Sequence, residues 1–141
     1  MLGKTLVAID LNDLGGARRV AEMAAGLARM QQAELHAINV IPGSGMSIVG
    51  NYLGPEHADR MEAEARRALA DFASMALEGL PAENLHVTHG TIYDQILRAA
   101  AKLGATCIVI GAHRPELKDY LIGPNAARVA RHAPQSVFVV R

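Results

Sequence analysis

The fold class is decided by the stretch Ile108-Val109-Ile110-Gly111-Ala112-His113-Arg114-Pro115 and, after a polar turn, Leu121-Ile122-Gly123-Pro124-Asn125-Ala126-Ala127. Its first residues form an apolar run that predicts a buried strand ending at a glycine. A loop bearing His, Arg and Lys follows, and a helix is predicted to begin just after Gly123, with Pro124 near its first position. A strand end, a glycine-bearing loop and the free N–H groups of a helix start form anion sites in α/β proteins. The stretch therefore predicts an α/β fold with a small-molecule site at this point.

On either side of this stretch, short apolar runs alternate with amphipathic segments. The predicted strands are residues 5–9, 34–41, 84–89, 106–110 and 136–140, and the predicted helices are residues 16–31, 56–77, 92–103 and 125–132. This alternation favours a parallel sheet covered by helices on both faces. Right-handed crossovers with one reversal of winding direction give a five-stranded Rossmann-like, flavodoxin-like sheet of order 3-2-1-4-5, with four helices on two faces. We expect a single domain over residues 1–141.

The predicted strand order locates a ligand site independently of the loop residues. Strands 1 and 4 are neighbours in that order, and the winding direction reverses between them. Ligands of such sheets bind beyond the C-terminal strand ends at the reversal. The strand ends concerned are Ala8-Ile9-Asp10 and Ile110-Gly111. The pocket predicted from topology therefore coincides with the strand–loop–helix stretch.

Composition narrows the functional class. Half of the residues are hydrophobic and Trp is absent, which predicts an aliphatic core. The formal net charge is zero, which argues against non-specific nucleic-acid binding because that requires a basic face. A single cysteine, Cys107, forbids an intramolecular disulfide and is expected to be a buried, reduced thiol. No signal peptide and no membrane-spanning run fit the sequence, so we expect a cytoplasmic protein that is not embedded in a membrane.

The segment of residues 42–55 leaves two alternatives open. It is punctuated by glycine and serine, yet it carries Met46, Ile48, Val49, Tyr52 and Leu53. It is interpreted either as a mobile flap that packs over the pocket or against a partner, or as an ordinary long crossover.

Catalytic and metal motifs find little support. The sequence contains neither a complete Walker-type Gly-x-x-x-x-Gly-Lys-Ser/Thr loop nor a Gly-x-Ser-x-Gly elbow. No carboxylate or nucleophile is fixed beside His113 in the sequence, and His86 and His89 lack further partners at metal-ligand spacing. We therefore expect neither an enzyme nor a metal site.

Several segments together resemble the universal stress protein family over the full length of the chain. They are Leu6-Val7-Ala8-Ile9-Asp10, Ile38-Asn39-Val40-Ile41, Gly90-Thr91, Ile110-Gly111-Ala112-His113, Gly123-Pro124-Asn125-Ala126-Ala127, and the ending from His132-Ala133-Pro134 to Val139-Val140-Arg141. The variant His113-Arg114-Pro115 is similar to a bacterial branch made of small stand-alone domains. The resemblance implies a Rossmann-like domain that is often a homodimer, in a family with many ATP-binding members.

The family's nucleotide motif is Gly, two residues, Gly, about nine residues, then Gly followed by Ser or Thr. Gly111 and Gly123 match its first and third glycines. Its second glycine falls on Arg114, and its hydroxyl position falls on Pro124, which offers neither a hydroxyl nor an N–H. Charge for the phosphates is offered instead by Arg114 and Lys118.

The resemblance also implies roles for individual residues. Asp10 would accept from the adenine amino group, Val40 would meet the base through its backbone, and Gly111 would let the ribose and phosphates approach the chain. The N–H groups of the helix start remain available to phosphate. The predicted nucleotide-binding residues are Ala8, Asp10, Val40, Gly111, His113, Arg114, Gly123, Asn125 and Ala126.

Each of these residues also has an alternative role that is purely structural and involves no ligand. Asp10 also suits the closing of the turn-prone segment that it begins. Gly111 fits a plain strand-to-loop turn, Arg114 a solvated loop residue, and His113 a histidine that packs within its loop.

The leading function hypothesis is a cytoplasmic regulatory stress-response protein that binds ATP or another adenine nucleotide, with or without Mg²⁺. The alternatives are a nucleotide-free dimeric adaptor, with residues 46–53 as a candidate contact, and, more weakly, a slow ATPase. A homodimer is expected through the C-terminal strand, residues 136–141, because an apolar edge strand invites antiparallel pairing. By resemblance, a membrane solute transporter is a conceivable partner.

Overall fold

The computed structural model describes residues 3–43, 47–112 and 122–141, and for residues 47–53 it describes the backbone alone. Within these ranges the chain forms five strands, four α-helices and one short 3-10 helix. In chain order these are β1 Lys4–Ala8, α1 Leu14–Gln31, β2 Glu34–Ile41, α2 Ser47–Ala76, the 3-10 helix Ala82–Asn84, β3 Leu85–His89, α3 Ile92–Leu103, β4 Cys107–Gly111, α4 Pro124–His132 and β5 Ser136–Val140.

The sheet has the order β3-β2-β1-β4-β5, and every neighbouring pair is parallel. The predicted strand order and fold class are therefore confirmed. Central β1 is paired on both sides, with Val7 opposite Ala37 of β2 and Val109 of β4. The reversal of winding direction lies between β1 and β4, as the sequence predicts.

The helices bury the two faces of the sheet in separate cores. One core joins α1 and α2 to the sheet through residues such as Val20, Leu69 and Phe72. The other joins α3 and α4 through residues such as Ile96 and Val129. Except for Phe72, the large buried hydrophobic side chains are aliphatic, as the composition predicts. None of the helices in the described ranges combines the length and the apolar composition that a membrane span requires.

The prediction of a loop over residues 42–55 is wrong from Ser47 onward. Helix α2 begins at Ser47 and continues to Ala76, interrupted only at Gly54, where φ is 79° and ψ is 175°. Glycine adopts this backbone readily, and the proline that follows suits the first turn of the next helical stretch. Gly54 and Pro55 thus mark a kink between two helical stretches. Residues 44–46 and the packing of the apolar side chains up to Leu53 lie outside the described residues, so the flap contact stays a prediction.

The start of α1 also differs from the prediction. The helix begins at Leu14, two residues earlier than expected, because Asp13 is its N-cap and accepts a hydrogen bond of 3.1 Å from the Gly16 N–H. Cys107, the first residue of β4, is buried and free, as predicted, and burial raises the pKa of its thiol.

Candidate functional site

A cavity of about 590 Å³ lies at the C-terminal ends of β1 and β4, where the winding direction reverses. Residues from the start of α1, the end of β2 and the start of α4 complete its wall. All predicted site residues that the structure describes line it: Ala8, Asp10, Val40, Gly111, Gly123, Asn125 and Ala126. His113 and Arg114 lie outside the described residues. The structure therefore brings together in one cavity side chains that are more than one hundred positions apart in sequence.

One part of the cavity wall is aliphatic. The residues of this part come from β2, β4 and the first turns of α3. They are Ile38, Val40, Ile92, Ile96 and Ile110. Several of these side chains also belong to the core beneath α3 and α4, which fixes their positions. A packed aliphatic surface of this kind suits the face of a planar ring.

Asp10 sits at the rim of the cavity, directly after β1, and it closes a turn. Its Oδ1 accepts a hydrogen bond of 2.9 Å from the Asn12 N–H, and its backbone carbonyl accepts one of 3.2 Å from the Asp13 N–H. The turn-closing alternative is therefore present in the fold. The bond from Asn12 engages one carboxylate oxygen, and the second oxygen is left to accept from a ligand.

Asn39 is a site residue that the sequence analysis missed. Its side chain is only 8% exposed, and its Nδ2 donates a hydrogen bond of 2.9 Å to the carbonyl of Ile9. The Ile9 N–H in turn donates to the carbonyl of Ile38 at 2.9 Å. These bonds extend the β1–β2 pairing to the residue before Asp10. The signal in the sequence is a lone amide within the apolar run of β2.

Gly111 ends β4 in a tightly packed position. A Cβ placed on it would lie 3.1 Å from Cγ2 of Val20, so the end of β4 packs closely on α1. The following N–H, that of Ala112, donates a hydrogen bond of 2.7 Å to the carbonyl of Val140. The absence of a side chain at Gly111 is therefore a packing requirement as well as an opening toward the cavity.

The start of α4 presents backbone donors to the cavity. Gly123 is the N-cap residue and makes no side-chain capping bond, and its carbonyl accepts from the Ala127 N–H at 3.0 Å. Pro124, the first helical residue, has no N–H. The N–H groups of Asn125 and Ala126 precede the first intrahelical bond and carry the positive end of the helix dipole. This arrangement suits an anionic group.

Charged side chains of both signs line the cavity. Asp10 and Asp13 lie at the start of α1, and the sequence analysis missed two arginines, Arg19 and Arg141. Across the described part of the chain, no three His, Cys, Asp or Glu side chains are grouped so as to hold a metal ion.

A second polar cluster lies away from the cavity, between β2 and β3. The Nδ1 of buried His36 lies 2.9 Å from Nε2 of His86, and its Nε2 lies 2.5 Å from Oε1 of Glu34. The two imidazole rings stack with centroids 5.2 Å apart. Burial lowers the pKa of His86, and electrostatic interactions with His36, Lys102 and Arg66 lower it further. The alternating pattern of β3 does not indicate this pairing, because it depends on which strand lies alongside.

Comparison with known proteins connects this geometry to a family. The family model described as "Universal stress protein family" matches residues 1–141. Universal stress protein G of Shigella flexneri is 30% identical over 109 residues, which are 76% of this chain and 77% of that protein.

Solved structures agree. A protein of Pseudomonas aeruginosa UCBPP-PA14 gives a TM-score of 0.73 at 30% identity, over 98% of this chain and 47% of that chain. The chain thus spans about half the length of that Pseudomonas chain. A universal stress protein in complex with cAMP gives a TM-score of 0.67 at 19% identity, over 99% of this chain and 97% of that one. The universal stress protein of Archaeoglobus fulgidus in complex with dAMP gives 0.64 at 22% identity, with complete coverage of both chains (100% each). At identities this low, the last two likenesses show the fold alone.

Proposed function

The chain belongs to the universal stress protein family, and we propose that it binds an adenine nucleotide in the cavity at the ends of β1 and β4. The observation that carries this proposal is the convergence of Asp10, Val40, Gly111 and the start of α4 on that one cavity. The complexes of two fold neighbours with cAMP and dAMP support an adenine nucleotide as the ligand. Within this class, ATP, with or without Mg²⁺, is the ligand that the family resemblance implies.

Each part of the cavity wall has a role in this proposal. The aliphatic wall takes the adenine ring, the second carboxylate oxygen of Asp10 accepts from the adenine amino group, and the backbone of Val40 meets the edge of the base. The N–H groups of Asn125 and Ala126 donate to a phosphate oxygen. These roles bind and orient the nucleotide without any step that breaks a bond, so the proposal is of a binding protein and not of an enzyme.

We propose that nucleotide binding affects the molecule's assembly at the edge strand β5. It is the last strand of the sheet, and its Phe138 side chain is 38% exposed. Val140, the last residue of that strand, also lines the cavity. Pairing of β5 with the same strand of a second copy would form a homodimer whose interface adjoins the nucleotide. In its full form, the proposal is that this dimer acts in the cytoplasm and regulates a partner such as a transporter subunit.

One observation favours a second candidate, a nucleotide-free dimeric adaptor. Pro124 removes a donor from the start of α4, and Gly123 supplies no side-chain cap there, so the phosphate site is poorer in donors than a helix start with serine or threonine.

The two candidates differ in a simple measurement. The purified protein is denatured, the supernatant is read for adenine absorbance, and the refolded or nucleotide-stripped protein is then titrated with AMP and ATP while its melting temperature is followed. Released adenine, or a melting temperature that rises with nucleotide, supports the proposal. An adenine-free supernatant together with an unchanged melting temperature at millimolar ATP would favour the adaptor.

A further inference from the structure

Among the described residues, the start of α4 would offer a phosphate few backbone donors. Gly123 and Pro124 leave the first turn of α4 with the N–H groups of Asn125 and Ala126. The helix terminus carries a fraction of one positive charge. A phosphate carries more negative charge than this, so a side-chain cation at the cavity would add substantially to its binding.

Arg19 is placed to be that cation. It lines the cavity from α1, on the exposed side of the helix. Among the described residues it belongs to no ion pair, whereas Arg66 and Arg98 each pair with a carboxylate one turn earlier in their own helices. Its guanidinium is thus available to a ligand.

Arg19 and the end of β4 lie in the wall of the same cavity. The next residue, Val20, contacts the end of β4, where its Cγ2 lies 3.1 Å from the point that a Cβ on Gly111 would occupy. Gly111, at the end of β4, and Gly123, at the start of α4, both line the cavity. Arg19 therefore lies next in sequence to the residue by which α1 packs against the end of β4.

Neither carboxylate that lines the cavity lies within ion-pair distance of Arg19 in the described part of the chain. The Asp10 carboxylate accepts from the Asn12 N–H, and the Asp13 carboxylate caps α1 by accepting from the Gly16 N–H. Both are held by backbone donors at the turn that precedes the helix. The guanidinium of Arg19 can therefore donate to an anion that enters the cavity.

We infer that Arg19 is a specificity-determining residue of this site, which binds the phosphate of the nucleotide and makes affinity depend on the presence of that phosphate. The planar guanidinium can donate two parallel hydrogen bonds to phosphate oxygens. The inference rests on the proposed nucleotide function and adds to it a residue outside the glycine motif.

The test compares ligands that differ only in phosphate, using adenosine, AMP and ATP titrated calorimetrically into four proteins. These are the wild type, Arg19→Ala, Arg19→Lys and Arg18→Ala. Arg18 is the matched control, because it is exposed on the same helix but does not line the cavity. We expect Arg19→Ala to weaken AMP and ATP about tenfold, the usual effect of losing a hydrogen bond to a charged group. Adenosine affinity should be unchanged, Arg18→Ala should bind like the wild type, and Arg19→Lys should fall between the wild type and Arg19→Ala.

Salt provides a second readout. The loss of AMP affinity in Arg19→Ala should shrink as salt is raised, because an exposed charge interaction is screened. A loss that is equal for adenosine and AMP, a loss shared by Arg18→Ala, or no loss at all would overturn the inference while leaving nucleotide binding in place. If the wild type binds none of the three ligands, the proposed function itself fails, and the inference fails with it.

Discussion

The side-chain amide of Asn39 donates a hydrogen bond of 2.9 Å to the backbone carbonyl of Ile9, and this bond joins the interior of the sheet to the rim of the cavity. Ile9 follows β1 and precedes Asp10, so the amide holds the backbone from which the carboxylate projects. A buried polar group in the sheet thereby sets the position of an exposed one at the ligand site.

Replacing Asn39 with Ala should therefore affect both stability and binding. The change leaves the Ile9 carbonyl buried without its donor, which costs about 1–3 kcal/mol of unfolding free energy. It should also weaken adenine nucleotide binding, since the segment carrying Asp10 loses its anchor. Urea denaturation and a nucleotide titration measure the two effects.

The chain offers a matched control for this change. Asn84 is also buried, and its Nδ2 donates a hydrogen bond of 2.9 Å to the Leu35 carbonyl, but it does not line the cavity. Asn84→Ala should lose comparable stability and keep its nucleotide affinity. Equal loss of affinity in both variants would show that Asn39 acts only through global stability.

Gly111→Ala should destabilise the protein by about 1 kcal/mol, because the added methyl lies 3.1 Å from Cγ2 of Val20 and the packing must shift. Combining it with Val20→Ala should make the Gly111 substitution cost less than it does alone, since the obstructing methyl is gone. Gly15→Ala is the control, because a Cβ at Gly15 meets nothing within 4 Å, and it should be neutral or stabilising. Denaturation midpoints for the single and double variants decide the matter, and additive costs would contradict the contact.

Stability should fall in mild acid because of the histidine pair. The unfolded pKa of His86 is near the ordinary value of 6.5, and its folded pKa is lowered, chiefly by burial and then by the electrostatic interaction with His36. Below pH 6.5 the unfolded state binds more protons than the folded state, so the contribution of His86 is fully present above that pH and is lost as the pH falls toward the folded pKa. Urea midpoints between pH 8 and about pH 5 measure this loss.

The variant His86→Gln should show a flatter dependence of stability on pH than the wild type. His132→Gln, at the exposed end of α4, serves as the control and should keep the wild-type profile. Identical pH profiles in the wild type and His86→Gln would exclude His86 as the source of the acid sensitivity.

The edge strand should determine the oligomeric state. Phe138→Lys places a charge on the exposed face of β5 and should convert a homodimer to a monomer, because edge pairing cannot accommodate like charges brought together. Met75→Lys alters another exposed apolar side chain, on α2, and should leave the dimer intact. Light scattering at tens of micromolar protein reports the mass. A monomeric wild type would refute the predicted dimer.

The sequence predicted the sheet order because each buried strand alternates with an amphipathic helix, and parallel strands with right-handed crossovers leave few arrangements. It predicted the site at Asp10, Gly111 and Gly123 because the strand ends on either side of a winding reversal must meet. The error at Gly54 arose because the same residues punctuate a loop and a kink between helices. Only the backbone dihedral angles distinguish the two.

Asn39, Arg19 and the His36–His86 pair were missed for a different reason. Each depends on which residue lies across from it in space. The partner of Asn39 is thirty positions away in sequence, and that of His36 is fifty. In the sequence, Arg19 is one of several charges on an amphipathic helix, and only the fold shows that it lines the same cavity as the end of β4. Periodicity indicates which residues face inward, and it does not indicate what they contact there.

Calorimetric titration of AMP and ATP into the wild type and into Asp10→Ala tests the central claim most directly. Asp10 is exposed at the cavity rim, so its removal should leave the fold intact while taking away the acceptor for the adenine amino group. The account predicts saturable binding of both nucleotides by the wild type and an affinity about tenfold weaker in the variant. The absence of binding by the wild type, or the same affinity in the two proteins, would contradict the placement of an adenine nucleotide in this cavity.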